Sequence, residues 1–155
     1  MHDEKVTANL QAPFSTFTEE KITQFIENAI KQDKDSENLH YAITDENDEY
    51  MGTISLKNIN RKDLNAEYAI ATRSKAHGRG YAKQATFELM KKAFEELGLE
   101  KVYLYVSVEN VAADKFYKKC GFVEEGVFRK HLRLNDRLTD IRWYSMLKQD
   151  FTDKE

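Results

Sequence analysis

The sequence predicts one α/β domain on a mixed sheet, and three observations carry that prediction. Apolar periodicity gives the order helix, three strands, helix, strand, helix, two strands. A strand, long helix and strand over 66–106 call for a parallel crossover at the centre, with hairpins at both ends. Val102-Tyr103-Leu104-Tyr105-Val106 is almost continuously apolar, as a strand covered on both faces must be. The 155 residues suffice for one buried core.

The elements follow in chain order. Ile22, Phe25, Ile26, Ala29 and Ile30 recur at helical spacing and predict a helix near 17–33, with Thr16 or Thr18 as cap and Glu19 and Glu20 at its positive end. Strands at 39–44 and about 50–57 flank the turn Glu46-Asn47-Asp48 and read as a hairpin. A polar loop with Arg61, Lys62 and Asp63 leads to the strand Ala66–Ala71. Residues 73–80 are polar and carry two glycines. The long helix 81–97 then buries Ala82, Ala85, Leu89, Met90, Ala93, Phe94 and Leu97 and stops at Gly98. After the strand 102–106, a short helix of about 110–119 starts on Asn110 and ends before Gly121. Strands near 126–134 and 138–148, joined by Asn135-Asp136-Arg137, close the chain, with Ile141, Trp143, Ser145 and Leu147 sharing one face.

Composition excludes several classes. No apolar run approaches the roughly 20 residues that span a bilayer. The polar start Met1-His2-Asp3-Glu4 does not read as a signal peptide. The single Cys120 permits no internal disulfide and no cysteine-built zinc site, and the spacing of His2, His40, His77 and His131 suggests no metal, so a reducing cytoplasmic setting is expected. Residues 1–50 hold 12 Asp/Glu against 4 Lys/Arg, a net of −8, and residues 51–155 hold 15 against 20, a net of +5. No long basic stripe argues for nucleic acid. The asymmetry suits a cation region beside an anion region, or equally a solvated acidic face.

An open α/β sheet binds its ligand beyond the carboxyl ends of its strands, which directs attention to 71–82 and 106–117. The first stretch contains Arg73-Ser74-Lys75-Ala76-His77-Gly78-Arg79-Gly80-Tyr81-Ala82-Lys83: four cations, one histidine and no acid. Gly78 and Gly80 let a ligand approach the backbone, and the helix start offers unpaired amides, so a phosphate or diphosphate fits; a plain tight turn feeding a helix fits as well. A nucleotide-triphosphate P-loop fails because Tyr81 and Ala82 follow Gly80 instead of Lys-Ser/Thr, and a dinucleotide fingerprint fails on its third glycine position.

A third phosphate loop matches. His77-Gly78-Arg79-Gly80-Tyr81-Ala82 resembles the loop of the GNAT acyltransferases, Gln/Arg-x-x-Gly-x-Gly/Ala, with His77 standing for the usual Gln or Arg. Downstream, Asn110-Val111-Ala112-Ala113-Asp114-Lys115-Phe116-Tyr117-Lys118-Lys119-Cys120-Gly121-Phe122 matches that family's Asn-x-x-Ala-x-x-x-Tyr-x-Lys-x-Gly-Phe run at every named position. Pro13-Phe14 with the Thr-Glu-Glu that follows, Ala66-Glu67-Tyr68, and the closing Gly126-x-x-Arg129-x-His131, Asn135-Asp136-Arg137 and Asp140 extend the resemblance over roughly 13–151, toward the ribosomal-protein N-terminal and spermidine N-acetyltransferases.

The resemblance implies a single GNAT-like domain over 1–155 with a splayed sheet, and the family's initial strand is expected to be missing. It implies acetyl-coenzyme A as co-substrate and direct attack by a primary amine of a polyamine, a protein N-terminus or another small amine. Coenzyme contacts are expected at His77, Gly78, Arg79, Gly80, Tyr81, Ala82, Lys83, Asn110 and Ala113, with the pantetheine arm on the backbone of Val106 to Val108. The opening is expected between the strand ending at Val106 and a strand near 123–128. Tyr117 is implied as general acid to the thiolate, a backbone N–H near Val106 as the carbonyl's polariser, and Glu67 as base or acceptor-side residue. Tyr117 also reads as a half-buried aromatic, Asn110 as a plain helix cap, Glu67 as a solvent-facing acid and Cys120 as a packed side chain. Arg129, Arg133 and Arg137 are left between coenzyme phosphates, a dimer contact and an anionic acceptor. A homodimer through the final strand pair is an expectation of the resemblance. A coenzyme-binding sensor without turnover is the alternative to an enzyme; neither nucleic acid nor membrane is expected as a partner.

Overall fold

The computed structural model describes residues 24–27, 36–74 and 77–152. Among the described residues seven strands form one sheet in the order β1-β2-β3-β4-β5-β7-β6: β1 (Gln24–Glu27), β2 (Leu39–Thr44), β3 (Tyr50–Asn60), β4 (Asn65–Thr72), β5 (Lys101–Ser107), β6 (Val123–Leu134) and β7 (Arg137–Leu147). Of these strands β4 and β5 run parallel, and the other neighbouring pairs are antiparallel. The crossover between them carries α1 (Tyr81–Lys91), extended by a π-helical turn over Lys92–Glu96. Helix α2 (Val111–Cys120) follows β5, and the short α3 (Lys148–Thr152) follows β7.

The helix expected near 17–33 lies mostly outside the described residues, and where it is described it is corrected. Gln24–Glu27 is a strand paired with β2, Gln24 opposite Thr44 and Glu27 opposite Tyr41. A short run containing Phe25 and Ile26 suits either period, and pairing satisfies the backbone groups on the outer edge of β2.

The core lies between the sheet and the helical crossover. Leu89, Met90, Ala93 and Phe94 from the helix meet Ile54, Leu56, Ala66, Tyr68, Val102, Leu104, Tyr144 and Met146 from the strands, all buried. Tyr68 donates or accepts a 2.7 Å hydrogen bond with Thr86 Oγ1, which ties the middle of β4 to α1. Truncating one of these large side chains to alanine costs about 2–5 kcal/mol.

The opening in the sheet lies between β4 and β5. These strands pair at Asn65–Lys101, Ala66–Val102 and Glu67–Tyr103 and no further, although β4 runs on to Thr72 and β5 to Ser107. β4 stays with β3 up to Gly52–Thr72, and β5 stays with β7 from Lys101–Leu147 to Ser107–Ile141 without a shift. Each half follows its own antiparallel ladder, so strand twist separates them beyond Tyr103. The expected opening between β5 and the strand near 123–128 is therefore corrected. β7 stands between β5 and β6, because the closing hairpin folds back and lays the apolar Tyr144 and Met146 over the core.

Candidate active site

Two stretches of backbone face the opening, and ladder parity identifies them. On the β7 side, Glu100 O accepts from Lys148 N (3.0 Å) and Val108 N donates to Asp140 O (3.1 Å). The register between these two bonds is unbroken, so the even residues of β5, Val106 included, direct their backbone groups to β7. Lys101 N donates to Leu64 O (3.2 Å), which sets the odd residues toward β4. On the other wall Arg73 N donates to Met51 O (2.8 Å), so the odd residues of β4 bond to β3. Ile70 and Thr72 on β4, with Tyr105 and Ser107 on β5, are left facing the gap. The backbone roles expected for Val106 and Val108 are corrected accordingly: their amides serve the β5–β7 ladder. Ser107 O takes Asn110 N at 3.0 Å, which turns the chain into α2.

Above the β4 end stands the glycine loop. Gly78 and Gly80 have φ of 76° and 83°, the left-handed region that glycine adopts without penalty. Gly80 is the N-cap of α1, with no side chain to satisfy the helix start and no acid in the first turn. The helical ladder opens with Gln84 N on Gly80 O (3.0 Å), so the amides of Ala82 and Lys83 precede it. A Cβ at Gly78 would meet nothing within 4 Å, so this face of the loop is open. His77, Arg79 and Lys83 are exposed, and the Arg79 guanidinium lies 4.8 Å from the centre of the buried Tyr81 ring, which anchors the turn. Arg73 is committed elsewhere, donating to Tyr50 O at 3.0 Å. Counting back from Gly78, the Gln/Arg position of the loop pattern falls on Lys75, outside the described residues, and not on His77.

The acidic turn of the first hairpin borders this loop. Asp45 is buried, its Oδ1 accepting from Asn47 N (2.8 Å) and Glu49 N (2.9 Å), and Asp45, Glu46 and Glu49 act electrostatically on Tyr81. The β2–β3 turn and the β4–α1 loop lie at the same end of the sheet, which brings the two sets of charge together.

Tyr117 sits on one face of the opening. Asn110 caps α2 by accepting Ala113 N at 3.0 Å, and Gly121, at φ 104°, ends it, with Phe122 N on Tyr117 O (3.0 Å). The Tyr117 ring meets Tyr68 edge-on at 5.8 Å, Phe122 at 5.8 Å and Tyr144 at 6.0 Å. Its hydroxyl has no hydrogen-bond partner among the described residues. Burial, and then the neighbouring Cys120, push its phenol up to about 12. Asn110 and Ala113 together close the first turn of α2.

Glu67 sits on the opposite face, at the last paired position before the opening. It accepts from Asn58 Nδ2 (3.1 Å) and faces Lys57 Nζ at 3.7 Å across the β3–β4 ladder. Burial, and then the Glu67 carboxylate, raise the Tyr103 phenol on this face. Tyr103, Tyr105 and Phe128 pack around Trp143 at 5.7, 5.0 and 5.1 Å. Residues that sequence reasoning missed are the gap-facing Ile70, Thr72, Tyr105 and Ser107. Strand alternation carried their parity, but not where the ladder stops. Among the described residues no helix is long and apolar enough to cross a membrane.

The glycine loop at a helix start and the tyrosine-bearing helix after the buried strand stand where the two motifs implied them, whereas the parting falls between β4 and β5. Residues 1–123 match the family model described as an acetyltransferase (GNAT) domain. The chain belongs to the GNAT acetyltransferase family. Members of that family acetylate amines with acetyl-CoA as co-substrate. Among curated GNAT relatives, a spermidine N(1)-acetyltransferase of Vibrio cholerae is 29% identical over 120 residues, covering 77% of this chain and 69% of that protein. The putative ribosomal N-acetyltransferase YdaF of Bacillus subtilis is 33% identical over 100 residues, 64% of this chain and 55% of its own length. Two structures of the Vibrio enzyme superpose well. A point mutant of SpeG gives a TM-score of 0.74 at 29% identity, covering 77% of this chain and 71% of that one. A dodecameric spermidine N-acetyltransferase gives 0.73 at 29%, covering 78% and 71%. The match to several curated relatives thus spans little more than half of their length.

Proposed function

We propose that acetyl-CoA lies with its diphosphate on the Gly78–Lys83 loop and its pantetheine arm in the β4–β5 opening, and that a primary amine attacks its thioester there. The observation that carries this is the end of β4–β5 pairing at Glu67–Tyr103 directly below the open glycine loop. An extended amide-bearing arm entering the gap completes the interrupted ladder, adding like a strand to the edges at Ile70, Thr72 and Tyr105. The loop amides at the positive end of α1, with Lys83 and Arg79, suit the diphosphate.

The two faces of the opening divide the chemistry. On the Glu67 face the amine must lose its proton, and the Glu67 carboxylate, fixed by Asn58 and Lys57, serves as base directly or through water. A gap-facing amide of β4 or β5 polarises the thioester carbonyl. On the other face Tyr117 offers its hydroxyl to the leaving sulfur. A phenol near 12 facing a thiol of about 8.5 makes full proton transfer uphill by roughly 5 kcal/mol. Tyr117 therefore acts first as a hydrogen-bond donor to the developing thiolate, whose proton comes finally from the acetylated amine. That sharpens the general-acid role implied by the motif.

The acceptor is a cationic primary amine, with polyamines favoured by the name of the Vibrio relative and a protein N-terminus by that of YdaF. The test is thiol release from acetyl-CoA across polyamines, amino sugars, amino acids and basic peptides. Turnover with at least one primary amine is expected. Coenzyme binding with no turnover over the whole panel would instead support a silent sensor.

A further inference from the structure

We propose that Arg142 is a positioning residue for Tyr117, acting through Asp114 on the first turn of α2. The inference rests on the role given to Tyr117 above. Helix α2 buries none of its residues completely; apolar packing reaches it through Tyr117 and Cys120. Its other hold on the sheet is a four-charge network over three elements. Arg142 Nη1 lies 3.6 Å from Asp114 Oδ1, and Arg142 Nε lies 3.4 Å from Glu124 Oε1 on β6. Lys118 Nζ, one turn along α2, approaches Asp114 Oδ2 at 3.3 Å and Glu124 Oε1 at 3.9 Å.

Burial gives this network consequence. Asp114 and Arg142 have side-chain exposures of 19% and 25%, and Asp114 Oδ1 and Arg142 Nε are shut off from solvent with no hydrogen bond of good geometry. Removing Arg142 leaves the enclosed Asp114 Oδ1 without its cation and Asp114 held by Lys118 alone, on its own helix, so the tie from α2 to β7 is lost. Arg142 pairs with Val106 inside the β5–β7 ladder, on the half of the sheet that does not part. Asp114 is three residues, less than one turn, from Tyr117. The network thus registers the helix that carries the tyrosine against a fixed wall of the opening, where a displacement of about 1 Å costs on the order of 100-fold in rate.

The test introduces Arg142→Met into the wild-type chain and into a Tyr117→Phe background, with acetyl-CoA affinity measured alongside turnover. We expect kcat to fall about tenfold in the first and less than twofold in the second, with affinity changed less than twofold in both. Arg142→Lys, which keeps charge but not the fork, should recover part of the rate. Asp114→Asn should reproduce the loss, and the double variant should be no slower than the slower single. Asp114→Asn carries the test should Arg142→Met not fold. Unchanged kcat, or an equal loss in the Tyr117→Phe background, would overturn the proposal. A Tyr117→Phe variant with full turnover would instead overturn the functional reading beneath it.

Discussion

Glu67 and Tyr103 are the last register pair between the two parallel strands, and beyond them the sheet divides. Glu67 projects from the face opposite Tyr117, whose ring rests edge-on against Tyr68, the next residue along β4. A reaction centred in the gap thus has a carboxylate on one side and a protonated phenol on the other.

Replacing that phenol should leave binding and remove rate. Tyr117→Phe keeps the ring contacts with Tyr68, Phe122 and Tyr144 and loses only the hydroxyl. We expect kcat to fall tenfold or more, with acetyl-CoA affinity by calorimetry within about twofold. A loss of 1.4 kcal/mol is one factor of ten, the size of a donated hydrogen bond to a charged sulfur.

The titration of Tyr117 has a defined sign. Its folded value of about 12 lies above the ordinary phenol near 10, so the folded state holds its proton more tightly. Below pH 10 both states are protonated and stability is untouched by this group; between pH 10 and 12 the unfolded state alone releases the proton and stability falls. Tyr117→Phe should therefore flatten part of the alkaline decline in denaturant midpoint over that window, and kcat should show no limb near pH 10 from this residue.

The glycine loop is tested against a matched control. Gly78 (φ 76°) and Gly98 (φ 69°) both have open space for a Cβ, so alanine at either costs backbone strain alone, roughly 1–2 kcal/mol. Gly78→Ala should weaken acetyl-CoA binding by tenfold or more, since the new methyl stands where the diphosphate approaches. Gly98→Ala should cost similar stability by thermal melting and leave affinity unchanged.

Glu67→Gln keeps the hydrogen bond from Asn58 and removes the base. Turnover with a primary amine should fall about tenfold at neutral pH and recover in part as pH rises and the free amine accumulates, with coenzyme affinity steady. A pH-independent loss would assign Glu67 a positioning role instead.

The parts of this account legible in the sequence are those fixed by local chemistry. The glycine turn feeding a helix at Gly78–Gly80, the Asn110 cap and the Gly121 stop follow from residue type at a given spacing, and the structure shows each. What could not be read is set by long-range pairing. Nothing near Val106 says that its amide belongs to Arg142's strand, because strand order is decided by which hairpin folds back over the core. Phe25 and Ile26 likewise fit either period until the free edge of β2 selects the extended form.

Amide hydrogen exchange with and without coenzyme A tests the central claim most directly. An arm completing the interrupted ladder should slow exchange at Ile70, Thr72 and Tyr105, together with the loop amides of Ala82 and Lys83, while Val106 and Val108, already bonded to β7, stay as they were. Saturating coenzyme A that leaves Ile70, Thr72 and Tyr105 unprotected, or that protects a surface away from the β4–β5 opening, would contradict the account.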